Sequence, residues 1–365
     1  MTNRQEGVQA RSRRYLDVDP SDMPGGTAYR PVSVEAGRGL REEAVHEIDG
    51  KQQARPAYAV VNEWRDWYES YQNMHMEYEG PHGETARSRL ENSYQPRYGK
   101  RYYAKLKDFE RAAERYGEAL TTAMLTFSAS NENAEGGRRC PADHMRDIAD
   151  GWDTARKQLH QALSGRNWEY AKVWEPHQSG YGHMHVAVFV LDGGEIAAED
   201  FRPVMRSYVG EVTAAGSEAH GLTTPGLGDS VSVSDDVENL GSYISEYIGI
   251  FGEEPTERPV SEQMFYATCW ATGTRRVDFS NGAHELMDME QFRRETGLRP
   301  EDRGGESLER WKETGDPDGE SGEWSASSIC TVQGRSPSYC DPTTGGQSLI
   351  EIDGRDGVDR PARRS

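Results

Sequence analysis

Apolar positions are sparse at both ends of the chain and periodic in its middle. Residues 1 to about 55 are polar, rich in Gly, Arg and Glu, and show no sustained period, so they read as a disordered N-terminal segment. Residues 56–99 read as a helical lead-in carrying Trp64, Trp67, Tyr68 and Tyr71. A basic, aromatic stretch follows, QPRYGKRYYAKLKDFERAAERYG, whose later half has helical spacing and few breakers. The run AMLTFSAS (Ala123 to Ser130) predicts a strand. Pro141 opens a predicted helix to about Leu163, with Met145, Ile148, Trp152, Ala155 and Leu159 at helical spacing. Two strands, Trp168 to Trp174 and His183 to Leu191, flank the turn-like EPHQSGYG and predict a hairpin. A helix is expected from about Ala198 to Ala214, then a short alternating strand at Ser230 to Ser234. Asp236 leads into the apolar helical pattern NLGSYISEYIGIF. Residues 296–365 are acidic and rich in Gly and Ser, and read as a tail. This order predicts one α+β domain over about residues 100–295, with a largely antiparallel sheet.

Composition narrows the function classes. A net charge of −20 argues against a simple basic nucleic-acid binder, since phosphate neutralisation needs Lys and Arg. Only seven of the 42 basic residues are Lys. Few Lys with many Asp and Glu match proteins of extreme halophiles, whose cytoplasm holds molar salt. There the Debye length is about 3 Å, and an acidic surface no longer repels DNA over distance. Cys140, Cys269, Cys330 and Cys340 form no CxxC pair, which argues against a zinc ribbon or a disulfide framework. The opening residues lack the apolar core of a signal peptide, and the longest apolar run, Val186 to Leu191, is far short of a membrane span. The expectation is a cytoplasmic protein with no membrane partner.

Candidate chemistry centres on Tyr181-Gly182-His183-Met184-His185. Residues two apart on a strand share a face, so His183 and His185 present two imidazoles side by side, a start for a divalent-metal site. With ten histidines, such a pair arises by chance in roughly one chain in four, so it needs support from its surroundings. Glu175 and His177, at the end of the partner strand, are the candidates for a third ligand. A hard cation such as Mg²⁺ or Mn²⁺ favours the carboxylate of Glu175. Tyr243 and Tyr247, four apart in the apolar helical pattern, share one helix face; Tyr94, Tyr98 and Tyr102 repeat that spacing elsewhere. Lys100, Arg101, Lys105 and Lys107, interleaved with tyrosines, suit single-stranded DNA and equally suit a solvated helix face.

In their order, these segments resemble the three motifs of the HUH endonucleases, which include plasmid and viral Rep proteins. Met124-Leu125-Thr126-Phe127-Ser128 resembles the first motif, an apolar strand ending in Thr or Ser. Gly182 to Val186 resembles the His-hydrophobic-His strand, and Leu240 to Ile248 the tyrosine helix. Phe265 to Met287 is similar to the segment after the third motif in haloarchaeal plasmid and virus Rep proteins. The resemblance covers about residues 100–290. It implies an HUH endonuclease-like antiparallel sheet flanked by helices, with a Mg²⁺ or Mn²⁺ ion held by His183, His185 and Glu175. It also implies a rolling-circle initiation activity: Tyr247, assisted by Tyr243, nicks one strand at an origin through a 5′-phosphotyrosine intermediate. Single-stranded origin DNA, a host helicase and a host polymerase would be the partners, since no GxxxxGK[ST] loop is present. One departure is Glu246, where many members place a Lys; Arg275 or Arg276 is a candidate replacement cation. Two alternatives are an HUH transposase and a catalytically inert DNA-binding regulator.

Overall fold

The structure, a computed structural model, describes residues 40–48, 51–80, 85–90, 92–234, 254–297, 325–331 and 350–351, with 21, 23 and 83. Among these, in chain order, β1 (Val45–Ile48) and β2 (Lys51–Ala54) form an antiparallel pair and lead into α1 (Ala57–Tyr71). β3 (Met74–Glu79), β4 (Thr85–Arg89) and α2 (Pro96–Glu114) come next, then β5 (Thr121–Phe127) and α3 (Pro141–Ala162). β6 (Trp168–Pro176) and β7 (Gly182–Val190) precede α4 (Arg202–Glu211), β8 (Val231–Ser234) and α5 (Val260–Thr272). β9 (Val277–Phe279), α6 (Asn281–Thr296), β10 (Ser325–Thr331) and β11 (Ile350–Glu351) complete the order.

The main sheet has five strands in the order β8-β5-β7-β6-β9, every neighbour antiparallel. β7 is central, and nearly all its residues are buried because helices cover both faces. Met184, Val186, Val188 and Val190 point into one core with α3, α4 and α5; Ala187 and Phe189 point into the other, beneath α2 and α6. The mixed architecture of antiparallel sheet and flanking helices is the α+β class that the pattern of positions predicts.

Local chemistry explains the elements. α3 begins at Pro141, whose missing N–H costs nothing in a first helical turn, and buries the stripe Met145, Ile148, Trp152, Ala155 and Leu159. Gly151 lets α4 approach closely, since a Cβ there would lie 2.3 Å from Val212 Cγ2. The helix expected from Ala198 is a 3-10 turn over Ala198–Phe201 that becomes α4. α1 packs on α5 through Trp64, Tyr68, Tyr266 and Trp270, with Trp67 at the edge.

Several elements depart from the sequence pattern. Residues 40–54, which show no sustained period, hold a 3-10 turn and the β1–β2 pair, and Arg41 N donates to Ala271 O at 3.0 Å. The lead-in over 56–99 contains β3 and β4 as well as helix. These two join β10 and β11 in a second sheet ordered β10-β3-β4-β11, so segments of the expected tail return as strands. These strands are short and polar, and their partners lie far away along the chain, which leaves no local signal.

Candidate metal centre

The β6–β7 hairpin builds the site. Its turn closes with His177 N donating to Tyr181 O at 2.7 Å and Gly180 N to His177 O at 2.8 Å. That closure fixes the register Glu175↔His183 and Val173↔His185. Alternation then places Glu175, His183 and His185 on one face, that of Phe189. The start of β7 is pinned from the other side. A Cβ on Gly182 would lie 2.9 Å from Phe265 of α5, and the buried His144 of α3 meets Gly182 O through Nε2 at 2.9 Å.

Glu175 Oε2 lies 3.0 Å from His183 Nε2 and 2.7 Å from His185 Nε2. The three ligand atoms all fall within 4.8 Å of one another. Ligands held about 2.1 Å from an octahedral ion at right angles stand about 3.0 Å apart, so both separations suit neighbouring positions on such an ion. One carboxylate and two imidazoles is a donor set that takes first-row and hard divalent ions. The ring centroids of His183 and His185 are 4.7 Å apart, and His185 is buried while Glu175 and His183 are half-buried.

The electrostatics suit an ion. Burial opposes ionisation of Glu175, yet the hydrogen bonds and charges of His183 and His185 prevail and hold its carboxyl at about 2. Burial pushes His185 below its ordinary value despite Glu175, so the resting pair is a carboxylate accepting from a neutral imidazole. The other ring nitrogen of His185, Nδ1, is 3.1 Å from Thr126 Oγ1 on β5, paired opposite it in the sheet. A hydroxyl both donates and accepts, so Thr126 can serve either tautomer of His185. Thr126 stands in the first motif, but the sequence gives no sign that it touches His185; that contact comes from the β5–β7 register.

His177 does not join the cluster. Its ring is exposed and its centroid is 6.2 Å from that of His183, while Nδ1 is 3.1 Å from Ser179 Oγ. Arg276, one candidate cation, is buried and stacked over Tyr94 and Tyr266, at 5.0 Å from the latter, and donates to Ser93 O. It is a packing residue that faces away from the ligand cluster. Arg275 is exposed. Tyr243, Glu246 and Tyr247 lie outside the described residues. Lys100 is exposed on α2, Arg101 and Lys105 lie over Tyr98 and Tyr102, and Lys107 is paired with Glu110 at 2.7 Å. A small apolar pocket lined in part by Leu40, Val60, Cys140 and Met264 lies in the opposite core and is no part of this centre. Among the described residues no helix is long and apolar enough to cross a membrane.

Fold and cluster together define an α+β protein in which two histidines on the central strand of an antiparallel sheet and a glutamate on the neighbouring strand could hold a metal ion. The chain belongs to the family described as "Putative rep protein (DUF1424)", which matches residues 29–339. It is 36% identical over 299 residues to a protein of Halobacterium salinarum named "Uncharacterized 36 kDa protein", covering 79% of this chain and 91% of that one. A protein of the same name from Halobacterium sp. (strain GN101) is 33% identical over 315 residues, 81% of this chain and 88% of that one. No solved structure matches.

Proposed function

We propose that this protein initiates rolling-circle replication as a metal-dependent endonuclease of the HUH type, cutting one DNA strand and remaining joined to its 5′ end. The observation that carries the reading is that Glu175 of β6 clusters with His183 and His185, the two histidines of the second HUH motif. The family description, "Putative rep protein", supports it. A divalent ion bound there supplies a Lewis acid that polarises a phosphate oxygen. His183, His185 and Glu175 would hold it.

In this reading the phenol oxygen of Tyr247 attacks the phosphorus and the 3′ oxygen leaves. The phenol proton passes to solvent or a nearby base, and the 3′ oxygen regains a proton as a free hydroxyl. Tyr243, one helical turn away in the sequence pattern, performs the second transfer that ends a round. The phosphotyrosine keeps the phosphodiester energy, so rejoining needs no ATP. Transfer at a transposon end would use the same chemistry, and the family description favours replication.

The test uses the full chain in molar KCl with Mn²⁺ and a random-sequence single-stranded DNA library, recovering molecules that migrate with protein on a denaturing gel. A covalent adduct is expected that EDTA abolishes, that His183→Ala or His185→Ala abolishes, and that Tyr247→Phe with Tyr243→Phe removes. Phe keeps the ring and deletes only the nucleophile. An adduct that persists in the double Phe variant, or in EDTA, would refute the mechanism.

A further inference from the structure

We propose that the first three turns of α2 form a stacking platform for unpaired bases of single-stranded DNA, with Tyr98 as the ring that receives a base. The inference rests on the reading above for why a DNA strand approaches this end of the sheet.

Charge is segregated along α2. Residues 96–107 carry Arg97, Lys100, Arg101, Lys105 and Lys107 and no acid, in a chain whose net charge is −20. The later cations are neutralised within the protein. Lys107 pairs with Glu110 at 2.7 Å and Arg111 with Asp108 at 3.1 Å, and Arg115 makes two 2.8 Å bonds to Glu290. Among the described residues neither Lys100 nor Lys105 has a carboxylate at ion-pair distance. Cations near the start of a helix oppose its dipole, and a phosphate chain relieves that cost.

The rings beside this stripe are already stacked. Tyr98 and Tyr102 lie 4.2 Å apart and 26° from parallel, and Tyr102 lies 6.3 Å from Phe279 at 18°. Phe279 is buried, which anchors the column, whereas Tyr98 is half-buried. Arg101 lies over the Tyr98 ring at 5.4 Å and Lys105 over that of Tyr102 at 5.9 Å, so cations accompany the column. The column stands at the correct end of the sheet. Ser93, just ahead of α2, accepts from Arg276, whose carbonyl accepts from Trp174 N at 2.8 Å, and Trp174 adjoins Glu175.

Salt decides which part of the platform matters most. Affinity from phosphate neutralisation falls steeply as salt rises, and at molar ionic strength charges more than about 3 Å apart are screened. Base–aromatic stacking survives those conditions. In molar salt Tyr98 therefore carries more of the binding than the lysines do.

The experiment is fluorescence anisotropy of a labelled oligothymidylate of about 20 nucleotides with the full chain, in EDTA, at about 0.5 M and about 2 M KCl. Tyr98→Ala should raise Kd at least about fivefold at both salts, the lower end of what one stacked base contributes. Tyr98→Leu, which keeps apolar bulk, should weaken binding as well. Lys100→Glu should weaken it at the lower salt and much less at the higher, while Arg111→Glu on the same helix should leave it within twofold. Both Tyr98 variants within twofold of the parent, with unchanged circular dichroism, would overturn the platform; so would equal losses on a duplex of the same length. EDTA silences metal chemistry, so the two readings fail separately. A metal-dependent adduct with Tyr98-independent binding sinks only the platform, and Tyr98-dependent binding without an adduct sinks only the nuclease.

Discussion

Replacing Thr126 by Val tests whether the His–Glu cluster is built for a metal or is a structural hydrogen-bond network. Val is nearly isosteric and strand-favouring, so β5 should fold as before while the 3.1 Å contact from Thr126 Oγ1 to His185 Nδ1 disappears. His185 is only 6% exposed, so no bulk water replaces the hydroxyl. In the resting tautomer Nε2–H donates to Glu175 at 2.7 Å, and Nδ1 accepts from Thr126. To bind an ion the proton must leave Nε2 and reside on Nδ1, where in the variant it finds no acceptor. Stranding that buried donor costs about 1–3 kcal/mol, equivalent to roughly five- to 150-fold in affinity. Loss of an outer partner of a metal-bound histidine ordinarily costs 10- to 100-fold. Mn²⁺ titration followed by electron paramagnetic resonance of the free ion should therefore show Kd at least about tenfold weaker in Thr126→Val. Thr122→Val is the control: it sits on the same face of β5, but its hydroxyl donates to Ser234 O at 2.9 Å, away from the cluster. A Thr126→Val affinity within twofold of the parent, or an equal loss in Thr122→Val, would show that the threonine does not support a metal-bound His185.

The third ligand is tested by the same titration: Glu175→Ala should weaken Mn²⁺ binding far more than His177→Ala, and the reverse order would exclude the ligand set proposed here. Burial, outweighing the pull of the Gly182 carbonyl, pushes His144 down to about 4. The unfolded chain takes up that proton near pH 6.5 and the folded chain only near 4, so the stabilisation is full above about 6.5 and is lost as pH falls through about 4. Denaturant unfolding in molar KCl should show the parent losing up to about 3 kcal/mol more than His144→Gln between those limits, and parallel profiles would disprove the assignment. Gly151→Ala should destabilise by about 1–3 kcal/mol because its methyl would sit 2.3 Å from Val212 Cγ2, outweighing the better helix propensity of Ala; a raised melting temperature would contradict the tight α3–α4 contact.

Much of the scaffold was written in local pattern. The stripe of α3 and the apolar run of β7 each bury a face by periodicity alone, so their positions follow from residue order. The turn EPHQSGYG between two apolar runs likewise specified a hairpin. The same alternation put His183 and His185 on one face before any partner was known. What alternation left open was which neighbour meets them. Glu175 and His177 share the parity of a strand face, and only the closing of the turn at His177 leaves Glu175 in register while sending His177 out into solvent. Thr126 reaches His185 because β5 pairs with β7 across 59 residues of sequence, a register no local period encodes. Arg276 seemed available as a cation beside the chemistry, but it is buried against the rings of Tyr94, just ahead of α2, and Tyr266 of α5. The second sheet was equally hidden, since β3 and β4 recruit partners from beyond residue 320 and carry no apolar run of their own. Periodicity reports the face that each segment must bury; the choice of partner depends on the free energy of the whole assembled sheet, which no single segment holds.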